Sequence, residues 1–315
     1  MSASGGTKAI VAALGANAGI AVTKFIAYGL TGSSSMLAEG IHSVADSGNQ
    51  ALLLLGGKRA AREATPQHPF GYGRERYIYA FIVSIVLFSV GGLFACYEGY
   101  HKIHETLEGH PNDLLTSKWW WVPLVVLGIA IGLETYSFRT AIVESNAVRG
   151  KASWKSFVRN AKAPELPVVL LEDLAALVGL FLALLGVGLT LLTGDGIYDG
   201  IFTVAIGVLL VIVAIILALE TKSLLLGESA TEEHVRAIEK ALVGDEVDHI
   251  IHMKTLHLGP EELMVAAKIA VRHDETAADI ARGIDKAEAR VRAAVPIACV
   301  IYLEPDIDRA DAAAK

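Results

Sequence analysis

Val168 to Leu192 reads VVLLEDLAALVGLFLALLGVGLTLL, 25 residues in which only Glu172 and Asp173 carry charge. A helix rises 1.5 Å per residue, so this run exceeds the roughly 20 residues needed to cross about 30 Å of hydrocarbon. Five more apolar stretches approach that length: Ile10 to Leu30, Met36 to Leu55, Ile78 to Cys96, Trp119 to Leu133 and Ile201 to Leu219. The expectation is an all-α transmembrane bundle of six helices over residues 1–220. No cleavable leader is expected, because Met1 to Lys8 holds one basic residue and the long first run is followed directly by another span.

Composition agrees. The 315 residues are 53% hydrophobic and 19% charged, against about 25% charged in soluble globular proteins. This excludes a disordered, collagen-like or nucleic-acid-binding chain. From Thr221 to Lys315 there are 12 Lys+Arg and 18 Asp+Glu, so −6 of the net −7 lies in the last third. Cys96 and Cys299 are too few for a disulfide framework or a thiolate metal site and read as buried thiols.

Basic residues orient the spans. The connection after the second run holds Lys58, Arg59, Arg62, Arg74 and Arg76, and that after the fourth holds Arg139, Arg149, Lys151, Lys155, Arg159 and Lys162. The alternate connections hold Lys102 and Lys118, and no Lys or Arg in Thr193 to Tyr198. The positive-inside rule then places the rich loops, both termini and the acidic tail in the cytoplasm. Trp119, Trp120 and Trp121 read as an interfacial belt.

The tail, residues 221–315, has its own pattern. Thr231-Glu232-Glu233 opens a helix to Leu242, since a threonine cap and early carboxylates suit the positive end of the helix dipole. His249 to Leu258 and Leu263 to Val271 alternate as strands about a Gly259-Pro260 turn. Thr276 to Ala294 is helical and Ile297 to Leu303 is a strand. The order α-β-β-α-β describes a small two-layer domain whose thin core favours dimerisation.

Ionisable groups within spans cost a few kcal/mol to insert, so they are read as functional. They are Glu39, His42 and Asp46 in the second span, Glu172 and Asp173 in the fifth, Lys24 beside Asn17 in the first, and Glu134 in the fourth. His42 and Asp46, four apart, share one helical face. Their imidazole nitrogen and carboxylate oxygen suit a small divalent ion, with Glu39 nearby on that face and Asp173 arriving from another helix. An N/O donor set without thiolate favours Zn²⁺, then Mn²⁺, Fe²⁺ or Co²⁺. The same spacing also serves a plain His–Asp contact or a hydrogen bond to a neighbouring helix.

Asn17 with Lys24, Thr31-Gly32-Ser33, Leu37-Ala38-Glu39-Gly40-Ile41-His42-Ser43-Val44-Ala45-Asp46 and His68-Pro69-Phe70-Gly71-Tyr72-Gly73-Arg74 together resemble the signature of the cation diffusion facilitator family. The resemblance covers nearly the whole chain. It implies a homodimer that exchanges a cytosolic divalent cation for protons, with a ferredoxin-like cytoplasmic domain at the end. The family's site takes two residues four apart on span two, which map onto His42 and Asp46, and two on span five. Of the latter, the later position is Asp173 and the earlier falls on Val169, which cannot bind metal. Glu172, Glu39, Asn17 and water remain open as the fourth ligand. Leu170 to Ala176, with Glu134 to Phe138 and Glu144 to Gly150, resembles the branch of the mitochondrial-type zinc transporters.

Secondary sites in the family match poorly. In the loop after span two, His68 fits one ligand position but Tyr72 occupies another, and the stretch reads as a folded basic turn. Its glycines lack the strand and third glycine of a phosphate loop. In the tail, which also holds His249, His257 and His273, His252 and Glu304 fit ligand positions, but Lys268 and Tyr302 stand at others. His101, His104, Glu105, Glu108 and His110 crowd the connection after span three, and His104-Glu105-Thr106-Leu107-Glu108 breaks the zinc-protease pattern at its last residue.

The expected function is Zn²⁺ efflux by proton antiport with alternating access, not enzymatic catalysis. Mn²⁺, Fe²⁺ or Co²⁺ as main substrate, or a membrane-anchored metal sensor without transport, are the alternatives. Lack of an Arg-rich presequence points to a bacterial inner membrane rather than an organelle.

Overall fold

The computed structural model describes residues 4–31, 34–110, 112–116, 118–272 and 274–307, leaving aside the side chains of 4–6, 30, 31, 34–39, 41 and 113. The chain divides into two compact units: Met1–Lys58 with Arg76–Lys222, and Arg59–Glu75 with Ser223–Lys315.

The first unit is helical. Its long helices are α1 (Ser4–Thr31), α2 (Ser34–Ala60), α3 (Glu75–Leu107), α4 (Val122–Arg149), α5 (Glu165–Thr193) and α6 (Ile197–Leu226). Among the described residues, five helices are long and apolar enough to cross a membrane: α1 from Thr7 to Gly29, and α3 to α6. The 27-residue α2 is interrupted by His42, Asp46, Asn49 and Gln50, so its composition is less apolar. Helices outrun the apolar stretches because apolarity marks only the hydrocarbon zone. Thus α3 continues to Leu107 and α4 to Arg149, each followed by a glycine at positive φ, Gly109 (81°) or Gly150 (57°).

Within α3, Leu87–Leu93 winds as a π-helix, and the Phe94 amide reaches back to the carbonyl of Ser89. Glycines let α3 and α6 approach backbone to backbone. A Cβ on Gly99 would come within 2.6 Å of the Val204 nitrogen, and one on Gly207 within 2.6 Å of the Cys96 nitrogen. Gly92 and Gly200 meet the same close approach. Such small-residue contacts hold helices together where lipid supplies no hydrophobic drive. At the other end of α3, Arg76 pairs bidentately with Glu165 of α5, with Nη2 2.9 Å from Oε2. Val168, Val169 and Leu170 are buried in the apolar core with Ala13, Leu53, Val83 and Ala141.

The second unit holds α7 (Glu232–Leu242), β1 (Ile250–Gly259), β2 (Glu262–Ala270), α8 (Ala277–Ala294) and β3 (Ala298–Asp306), the α-β-β-α-β order expected from sequence. Thr231 caps α7, and Thr276 with Asp279 forms a capping box on α8. The sheet order is β1-β2-β3, antiparallel then parallel, with α8 as the crossover. Ile238, Leu242, Leu263, Val265, Ile269, Val291 and Ile301 form its core. Cys299 is exposed, which corrects the expectation of a buried thiol: it follows buried Ala298 on β3 and projects to the other face.

The α2–α3 connection belongs to this second unit. Arg62 lies 4.7 Å over the Tyr72 ring, which tilts against His68, while the Tyr72 hydroxyl is 3.2 Å from Thr65 Oγ1. Gly73 lies so close to the β1–β2 turn that a Cβ there would stand 2.5 Å from Glu262 Oε2 and 3.0 Å from Gly259 Cα.

Candidate functional site

Helical spacing on α2 brings His42 and Asp46 together, Nε2 lying 3.7 Å from Oδ2. Gly91, within the π-helical stretch of α3, faces the imidazole, and a Cβ there would be 3.4 Å from Cε1. From α5, Asp173 is 1% exposed. Its Oδ2 accepts a 2.6 Å hydrogen bond from Ser137 Oγ on α4, and its buried Oδ1 has no hydrogen-bond partner among the described residues.

Glu172 is wired differently. Its two oxygens accept from Asn49 Nδ2 and Gln50 Nε2, both at 2.8 Å, and Gln50 Oε1 in turn faces Asn17 Nδ2 at 3.4 Å. Glu172 and Asn17 are thereby joined in a buried amide network across α1, α2 and α5. Lys24 donates to Ser43 Oγ at 2.9 Å. Val169, at the position where a ligand would stand, is fully buried among apolar side chains.

A cavity of about 150 Å³ unites these groups. Asn17, His42, Asp46, Glu172 and Asp173 all line it, together with Lys24 and Glu134. It runs toward the end of the bundle bearing the α5–α6 connection, where Glu98, Lys102 and Asp199 line it and Lys102 Nζ pairs with Asp199 Oδ2 at 2.9 Å. The excess of carboxylates over ammonium groups along its walls makes it attractive to cations. Among the described residues, no three His, Cys, Asp or Glu side chains are gathered closely enough to share one ion. The Glu39 side chain lies outside the described residues.

Sequence reasoning missed Asn49, Gln50 and Ser137. The signal for the first two was their helical spacing, three and four residues beyond Asp46 in a membrane-length segment. Nothing local marks Ser137, whose partner is on another helix.

The secondary clusters have ordinary partners. His252, Lys268 and Glu304 are cross-strand neighbours, but Lys268 Nζ lies 3.2 Å from Glu304 and 2.8 Å from Asp306. These two carboxylates, Asp306 foremost, raise the Lys268 pKa above its ordinary value. His257 Nδ1 lies 3.2 Å from the Gly259 carbonyl, His249 Nδ1 lies 3.0 Å from Asp248, and His273 is outside the described residues. His101 and His104 are on the last turns of α3 rather than in a loop, each 3.6 Å from a glutamate four residues on.

A model of the cation efflux transmembrane domain matches residues 10–226. The mitochondrial proton-coupled zinc antiporter SLC30A9 of Mus musculus is 32% identical over 252 residues, covering 78% of this chain and 42% of that protein. Metal tolerance protein C4 of Arabidopsis thaliana is 29% identical over 265 residues, 83% of this chain and 56% of its own length. Magnetosome protein MamM of Magnetospirillum gryphiswaldense is 27% identical over 116 residues, 37% of this chain and 35% of its own. The chain thus spans only about half the length of the longer-matching relatives.

Proposed function

Since the chain belongs to the cation diffusion facilitator, or cation efflux, family, we propose that this multi-pass membrane protein carries divalent cations, Zn²⁺ foremost, in exchange for protons. It is a carrier and not an enzyme. The observation that carries this reading is the intramembrane cavity that His42 and Asp46 of α2 share with Asp173 of α5, whose Oδ1 is left without a partner among the described residues. A buried carboxylate oxygen without a donor calls for a cation or a proton.

In the proposed cycle the ion enters from the cytoplasm once Asp46 and Asp173 have released their protons, because ligands must deprotonate to bind. Closing α2 toward α5 gathers the donors, which are not clustered in the present conformation. Exposure to the far side lets protons displace the ion, and the direction of the cavity, toward the α5–α6 connection, supports a state open to that side. Mn²⁺, Fe²⁺ and Co²⁺ suit the same N/O donors.

The wider proposal retains α2 as a sixth span, residues 1–220 as the membrane domain and 221–315 as a ferredoxin-like cytoplasmic domain. It also retains a homodimer in a bacterial inner membrane with both termini in the cytoplasm. The test is a panel of Zn²⁺, Mn²⁺, Fe²⁺, Co²⁺ and Cd²⁺ offered to proteoliposomes containing a pH dye. Zn²⁺ uptake with counter-movement of protons, abolished by His42→Ala with Asp46→Ala, is the expected result. Undiminished uptake in that double variant refutes the scheme.

A further inference from the structure

We propose that Glu134, on α4, is a further ligand of the transported dication and supplies the donor that Val169 cannot; this rests on the transport reading above. Glu134 lies near the middle of α4 and is 1% exposed. A carboxyl at that depth is expensive to insert, so an unused one is not expected. Its Oε1 is buried, lacks a hydrogen-bond partner among the described residues, and belongs to a side chain lining the same cavity as His42, Asp46 and Asp173.

The contrast with Glu172 decides between the two glutamates. Both are buried and line one cavity, but both oxygens of Glu172 are taken by the amides of Asn49 and Gln50. Glu134 keeps an oxygen available. Three residues further along the buried face of α4, Ser137 holds one oxygen of Asp173 and leaves Oδ1 without a donor. Neighbouring helices thus each hold one buried, unsatisfied carboxylate oxygen on a side chain that lines one cavity, and such oxygens suit a dication. Adding Asp46 and His42 from α2 gives three oxygens and one nitrogen, a donor set that fits tetrahedral Zn²⁺. The set assembles when α2 closes on α4 and α5.

The test uses the full-length purified protein with Zn²⁺ and with Co²⁺, whose d–d absorption reports its ligands. Glu134→Gln, which preserves shape, is expected to weaken Zn²⁺ binding at least tenfold, raise KM for uptake, and change the Co²⁺ bands. Glu134→His, a different ligand of different shape, is expected to recover most of the binding, which a merely structural glutamate would not allow. The proposal falls if Glu134→Gln melts and elutes like the wild type yet binds Zn²⁺ within twofold of it with unaltered Co²⁺ bands. Zn²⁺ binding retained with proton coupling lost overturns it equally. Should Glu134→Gln fail to fold, failure of Glu134→His to bind Zn²⁺ while folded decides against it. Absence of Zn²⁺ binding by the wild type overturns the transport reading, and this assignment with it.

Discussion

Ser137 of α4 donates its hydroxyl to Asp173 Oδ2 of α5 across 2.6 Å, which leaves Oδ1 as the buried oxygen of Asp173 without a partner among the described residues. Ser137→Ala removes a bond to an acidic group that is worth about 1.5–3 kcal/mol and frees the side chain to rotate. Zn²⁺ affinity is expected to fall about tenfold while maximal uptake at saturating Zn²⁺ stays near normal. Uptake at graded Zn²⁺ in proteoliposomes checks this, and an unchanged KM contradicts it.

Glu172 is engaged by Asn49 and Gln50 on both oxygens. Glu172→Gln sets an amide NH₂ against another, leaving a buried donor unmatched at a cost of about 1–3 kcal/mol. The expected signature is a lower melting temperature in detergent, with Zn²⁺ affinity less affected than by loss of Asp173. Equal melting with strongly reduced affinity would make Glu172 a ligand instead.

Arg76 and Glu165 form a largely buried pair between the starts of α3 and α5. Removing either partner alone leaves an unpaired buried charge and is expected to destabilise by about 3–5 kcal/mol. Removing both, as Arg76→Met with Glu165→Leu, is expected to cost much less. A double-mutant cycle of melting temperatures reads the difference; additive losses refute the coupling.

Gly73→Ala places a Cβ within 2.5 Å of Glu262 Oε2 and 3.0 Å of Gly259 Cα. Relief requires the loop to lift from the β1–β2 turn, at about 1–3 kcal/mol. Hydrogen exchange should then accelerate in residues 65–75 and 257–263 and nowhere in α8. Unaltered exchange argues that the turn absorbs the methyl.

The tail also has an acid-sensitive contact. Hydrogen bonding by Lys286, helped by Arg290, lowers the Glu246 pKa from 4.5 to about 2. A depressed carboxylate pKa adds stability that is complete above the unfolded value and vanishes as protons bind the folded state. Protection of the Gly244–Val247 turn should therefore decline between about pH 4.5 and pH 2. Glu246→Gln should lack that decline, and a parallel pH course in both proteins refutes the assignment.

Much of this architecture is legible in the residues, and the reasons for the exceptions are physical. Apolar runs such as Val168 to Leu192 announce their helices, and strand alternation about Gly259-Pro260 announces the hairpin. Helix ends are hidden because His101 and His104 extend α3 beyond the apolar zone, where only the Gly109-His110-Pro111 sequence marks a stop. His42, Asp46 and Asp173 stand out because charge is costly in an apolar run. Ser137, Asn49 and Gln50 do not, since a small polar residue in a span acquires meaning only through a partner on another helix. The docking of Gly73 on the hairpin turn is likewise tertiary: the sequence displays the glycines but not what approaches them.

The glycine contacts between α3 and α6 leave no room for a side chain, so this pair is packed backbone to backbone along its length of contact. In the proposed cycle, the swing between the two openings is therefore borne by the remaining helices moving against that pair. Gly91, where an added Cβ would stand 3.4 Å from His42 Cε1, lies one residue before the Gly92 contact of that pair.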